Sequence, residues 1–169
     1  MKNEKFKNFG QTLIEVLVAI TITAIALAAI LAVATSSISL GGQSGQRLLA
    51  VNLAREGIEI AQAIRSSNWL STDQSWPYGL NNGNWLVNYN SLNLSVPNNA
   101  DLQNCTNCWL CRQANDQYLH CSTAETYKRM ITISDGDLSR EKKVISTVWW
   151  QERSKIHTIS LENRLTNWR

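Results

Sequence analysis

Nineteen consecutive residues, VLVAITITAIALAAILAVA from Val16 to Ala34, hold no charge, no glycine and no proline, and only Thr21 and Thr23 among them are polar. At about 1.5 Å per residue they make a helix of roughly 28 Å, the thickness of a bilayer's hydrocarbon core. A helix that is apolar on every side needs lipid, or other helices of its own kind, around it. Lys2, Lys5 and Lys7 precede the run against Glu4 alone. The positive-inside bias therefore keeps the N-terminus cytoplasmic and sends the remainder outward. A secretory signal is the competing reading, because Ala32-Val33-Ala34 offers a small-residue cleavage site before Thr35. The run is longer than the 7 to 15 or so apolar residues of a signal, which favours a retained anchor.

Glu15 stands at the threshold of this segment, in QTLIEVLVAI. A carboxylate carried into lipid is costly and either finds a cation or loses its charge. The positive end of the helix dipole at the lipid interface offers one form of relief. Ahead of it, the short basic leader MKNEKFKNFG ends on Gly10; QTLIE follows, and then the uninterrupted apolar helix. That order resembles the processing signal of type IV pilins and pseudopilins. The resemblance implies a membrane-embedded prepilin peptidase that cuts between Gly10 and Gln11 on the cytoplasmic side and methylates the new amine. It also implies an assembly role for Glu15. When apolar helices of many copies pack together, the amine of one subunit neutralises Glu15 of the next, and the burial penalty sets register. Gln11 departs from the family's usual aromatic or Met at the first mature position.

Beyond Ala34, TSSISLGGQSGQ is small and polar, with Gly41, Gly42 and Gly45 close together. Each glycine weakens a helix interior by about 1 kcal/mol relative to alanine, so a bend or a melted turn is expected there. A helical period then resumes. Leu49, Leu53, Ala54, Gly57, Ile58, Ile60, Ala61 and Ile64 fall on one half of the wheel, with Asn52, Arg55, Glu56, Glu59, Gln62 and Ser66 opposite. Such a stripe needs a sheet to cover. YKRMITIS, KKVISTVWWQ and KIHTISLENRLTNW supply three β-rich runs joined by DGDLSRE and QERS, an antiparallel meander. From Val144 to Arg169 the chain also resembles the end of minor pilins and I-type pseudopilins. Residues 68–126 hold both prolines and twelve asparagines, the composition of a long irregular region. Within it, NWLVNYNSLNLSV alternates as a short strand at a sheet edge would.

Cys105, Cys108, Cys111 and Cys121 form C-x2-C-x2-C-x9-C. Four thiols in this spacing suit two disulfides, a tetrahedral zinc site or an iron–sulfur site. An oxidising exterior favours disulfides, with zinc as the alternative and no other cofactor implied. Connectivity is open, although a bridge across C-x2-C closes a tight ring, so at least one bridge is expected to reach Cys121. A thiol oxidoreductase using Cys108-Trp109-Leu110-Cys111 would need a helix N-terminus in a βαβ setting, where an Asn-rich loop stands instead. His120 beside Cys121 points away from it if the segment is extended. No phosphate loop and no Ser-His-Asp signature is present. The chain reads as no enzyme, with no catalytic residue to name.

The formal net charge of +3 is too small to imply nucleic acid by itself. A filament that takes up DNA would require Lys128, Arg129, Lys142, Lys143, Arg153 and Lys155 to cluster. The expected architecture is α+β, pilin-like. A leader occupies 1–10, a membrane and assembly helix 11–35, its amphipathic second half 36–67, an irregular Asn/Cys-rich region 68–126 and an antiparallel sheet 127–169. The resemblance implies a minor structural subunit of a type IV pilus or type II secretion pseudopilus. Its partners would be prepilin peptidase, other pilins and the membrane. The chain would cross the inner membrane once, with its head outside, before joining the filament. A membrane-anchored exterior module outside any filament is the other reading.

Overall fold

The computed structural model describes residues 7–71, 73–90, 94–97, 101–138, 140–152 and 154–167. Residues 1–6 of the leader, Arg153 and Trp168 lie outside them. The chain divides into two units, Met1–Gln46 and Arg47–Arg169. One helix, α1 (Lys7–Leu70), supplies residues to both.

In the first unit every described side chain from 12 to 38 is exposed. The hydroxyls of this stretch are turned back onto the helix: Thr21 donates to the Val18 carbonyl at 2.8 Å, Thr23 to Ala19 at 2.7 Å and Ser37 to Val33 at 2.9 Å. The helix thus presents almost no unsatisfied polarity along its sides, the condition for lying in lipid. Gly41, Gly42 and Gly45 remain helical, unlike the expected melted turn. Three penalties of about 1 kcal/mol do not break a helix already propagating from both flanks, where each added residue costs no new nucleus. A Cβ at any of the three would meet nothing within 4 Å, so packing inside the chain does not demand glycine there.

The second unit holds one seven-stranded antiparallel sheet: β1 (Gly83–Leu86), β2 (Ser95–Pro97), β3 (Trp109–Arg112), β4 (Tyr118–Cys121), β5 (Tyr127–Asp135), β6 (Glu141–Glu152) and β7 (Lys155–Thr166). The β5–β6–β7 meander falls where the three β-rich runs placed it. The other edge of β5 is shared, β1 pairing along Ile131–Ile133 and β3 at Lys128. Strands β2 and β4 pair with β1 and β3. The region 68–126 is therefore not irregular throughout, since four short strands extend the sheet from within it.

Register assigns the two faces. Tyr127, Ile131 and Ile133 on β5, Val144, Val148 and Trp150 on β6 and Ile159, Leu161 and Leu165 on β7 face one side. Residues 50–64 of α1 cover that side with Ala50, Leu53, Ala54, Ile58, Ile60, Ala61 and Ile64, the apolar stripe read from the sequence with Ala50 added. Burying each leucine or isoleucine of this stripe stabilises the fold by about 1.5–3 kcal/mol before chain entropy is set against it. At Gly57 the packing of helix on sheet leaves no room for a side chain. A Cβ there would lie 2.5 Å from Ser146 Oγ, 3.3 Å from Ser146 Cβ and 3.2 Å from Ile131 Cδ1. On the opposite side of the sheet, Leu102, Cys105 and Cys108 pack over Met130 and Trp149, with Leu86 and Trp109 at the margin.

Candidate processing and assembly site

Gly10 and Gln11 sit in the first turns of α1. One helical turn on, Glu15 is exposed, among Leu13, Ile14, Val16 and Leu17, each more than half exposed. A spacing of four residues places Gln11 and Glu15 on one face of the helix. None of the most apolar window of this helix is buried in the chain, and it is long and apolar enough to cross a membrane. The described side chains from 12 to 38, Glu15 among them, thus form a largely apolar surface that no described residue of their own unit covers.

The four cysteines pair as Cys105–Cys108 and Cys111–Cys121, with Cα separations of 5.5 and 5.9 Å. One bridge reaches Cys121 as expected; the other closes the tight C-x2-C ring. Cys111 lies opposite Leu119 and Cys121 opposite Trp109, so the second bridge runs diagonally across the β3–β4 hairpin. With no free cysteine, the zinc alternative has no thiolate to use. Among the described residues no group of three or more His, Cys, Asp or Glu could hold a metal ion.

Among the described residues, the cations named for a DNA surface stand in different surroundings. Arg129 is fully buried, its guanidinium 3.0 Å from Glu56 Oε1 and donating to the carbonyls of Leu53 at 2.9 Å and Val87 at 2.7 Å. Burial depresses its pKa, against the opposing pull of Glu56. Lys128 is buried on the opposite face, where Nζ lies 4.4 Å from the centre of the Trp109 ring and 5.2 Å from that of Trp149 and donates to Gln103 O at 2.5 Å. Desolvation lowers its pKa. Lys142 is paired with Asp135 at 2.6 Å and Lys143 with Glu162 at 2.9 Å, and both carboxyls are held below their usual range by these cations. Lys155 is exposed, and Arg153 lies outside the described residues.

Arg129 was legible in principle. Period-two alternation puts it on the face of Ile131 and Ile133, where a cation must be paired inside the fold. His120, read as pointing away from Cys121, lies opposite Leu110 with its ring nitrogens buried. Burial and then the Arg129 charge lower its pKa from 6.5 to about 4, against the pull of the carbonyls of Cys108, Asn107 and Trp109.

Residues 5–31 match the family described as the prokaryotic N-terminal methylation motif. No curated protein and no solved structure matches the chain. The matched stretch contains Gly10, Gln11, Glu15 and most of the apolar run.

Proposed function

We propose that this chain, whose long helix, antiparallel sheet and methylation motif support membership of the type IV pilin and pseudopilin family, is a minor structural subunit of a type IV pilus or type II secretion pseudopilus. The observation that carries this reading is the coincidence, within residues 5–31, of the motif, the Gly10–Gln11 bond, Glu15 and a helix whose described side chains from 12 on are all exposed. A bare apolar helix is served by lipid before assembly and by identical or related helices after it. A membrane-embedded prepilin peptidase would remove residues 1–10 from the cytoplasmic side, the side-chain-free Gly10 letting its active site reach the backbone. The new, methylated amine would stand four residues before Glu15. In the filament, the amine of one subunit would neutralise Glu15 of its neighbour, converting a costly buried carboxylate into a contact that only correct register provides. The minor role rests on the likeness of 144–169 to minor pilins and on the stapled cover over the outer sheet face.

The test is the mass of the mature chain together with its fate in the membrane. The chain recovered from filaments should begin at a methylated Gln11. Glu15→Ala should be cleaved and inserted normally yet be missing from sheared filaments. A mature chain that retains residues 1–10, one that begins at Thr35, or filaments containing the Glu15→Ala subunit at wild-type levels would each overturn the reading.

A further inference from the structure

The two disulfides differ in what protects them. Cys105 is 3% exposed and Cys108 fully buried, packed with Leu102 against Met130 and Trp149. Cys111 and Cys121 are half-buried, on a hairpin of two four-residue strands. That hairpin is tied in by one register pair with the sheet, Trp109 opposite Lys128, by the Arg129 N–H donating to the Cys108 carbonyl at 3.0 Å and the His120 N–H donating to Asn88 Oδ1 at 2.8 Å, and by Leu110, which is buried with Leu53, Tyr127 and Val148. The loop before it is tied down by Lys128, whose ammonium reaches Gln103 O and lies over the Trp109 ring. Trp109 in turn meets Trp149 edge to face at 5.9 Å. The loop, its Cys105–Cys108 bridge and Trp109 thus form one cover over Met130 and Trp149 on the outer face of β5 and β6, and the Cys111–Cys121 bridge closes the hairpin that carries Trp109.

Thiol–disulfide exchange requires an attacking thiolate to reach a sulfur, so a sealed bridge reacts only after local opening. We propose that Cys111–Cys121 is a latch and Cys105–Cys108 a sealed rivet, reduced in that order, so that a dithiol uncovers Met130, Trp149 and the Lys128 ammonium in two steps. In the first step a thiolate of the dithiol attacks one sulfur of Cys111–Cys121, forming a mixed disulfide and releasing the other cysteine. The second thiol of the reagent closes on the first, leaving a cyclic disulfide and two protein thiols. The freed hairpin then loses the cross-link that keeps β3 against β4, and its opening admits a second dithiol to Cys105–Cys108. The head domain would carry a redox-graded cover that an oxidising exterior keeps shut.

The test uses the full chain in detergent micelles without denaturant. It is treated with rising dithiothreitol, quenched with iodoacetamide and mapped by peptide mass, with tryptophan emission followed in parallel. A species alkylated at Cys111 and Cys121 with Cys105–Cys108 intact should accumulate, the first pair reacting about tenfold faster or more. The red shift of Trp109 and Trp149 should follow the second step. Alkylation of Cys105 and Cys108 first, or of all four together with no intermediate, would overturn the order. The double variant Cys111→Ser, Cys121→Ser should speed reduction of Cys105–Cys108 by about tenfold; an unchanged rate would also overturn it. Should that variant fail to fold, the labelling order in the natural chain decides alone.

Discussion

At the scale of single residues, the fold is most sensitive where a polar group is buried against the sheet. His120 titrates near 6.5 when unfolded and near 4 when folded. Between those values the unfolded chain binds a proton that the folded chain does not. Its contribution to stability is therefore complete above about pH 6.5, falls as pH drops toward 4 and changes no further below that, spanning at most about 3 kcal/mol. Denaturant midpoints measured across this window should decline more for the natural chain than for His120→Phe, which keeps a ring and has nothing to protonate. Gly57 makes a second case. Gly57→Ala adds a methyl group against Ser146 and Ile131, an overpacking cost of about 1–3 kcal/mol that outweighs the roughly 1 kcal/mol of helix propensity gained. Ser146→Ala in the same chain removes the nearest atom and should recover part of the loss, a coupling that a double-mutant cycle reads directly. Glu56 holds the buried Arg129, so Glu56→Ala should cost about 3–5 kcal/mol in chemical unfolding, more than Arg129→Met, which leaves no unpaired buried charge.

Among the elements, those with a long period were legible in type and face, and of the short strands β1 was read within NWLVNYNSLNLSV whereas β3 and β4 were not. The stripe from Leu53 to Ile64 and the alternation of Val144, Val148 and Trp150 each extend over enough residues to fix both type and buried face. Strands β3 and β4 are four residues each, set among Asn, Gln and Cys, and they form because β5 offers an open edge at Lys128 rather than because WLCR or YLHC insists on extension. The Cys111–Cys121 bridge then holds a hairpin too short to be stable alone. The motif over residues 5–31 was legible because the order of Gly10, Gln11, Glu15 and the apolar run along the chain is its signal, whereas the pairing of the cysteines depended on a hairpin that the sequence did not announce. The glycines at 41, 42 and 45 give an element-scale prediction. Replacing all three with alanine meets no steric obstacle in the chain and should raise helical stability by about 1 kcal/mol per site. If the zone serves by yielding during assembly, circular dichroism of the variant should show equal or greater helicity while its recovery in filaments falls.

For the molecule as a whole, the two units have opposite relations to solvent. All three apolar clusters draw on residues from 49 to 165, and the described side chains from 12 to 38 enter none of them. A chain of this size has enough core in residues 47–169 to fold without the anchor, provided its bridges form. Residues 47–169, secreted into an oxidising compartment, should therefore be a soluble species that unfolds cooperatively and carries both disulfides. Size-exclusion chromatography and mass mapping would establish this, and the same fragment should be absent from filaments even when made in excess. Aggregation of the oxidised fragment would mean that the anchor supplies packing the head needs. Incorporation of the fragment into filaments would mean that assembly runs through the sheet. Solubility together with exclusion would separate the two proposed roles: residues 47–169 hold the core clusters, and the exposed apolar helix with Glu15 is the surface proposed for association, since its described side chains enter none of those clusters.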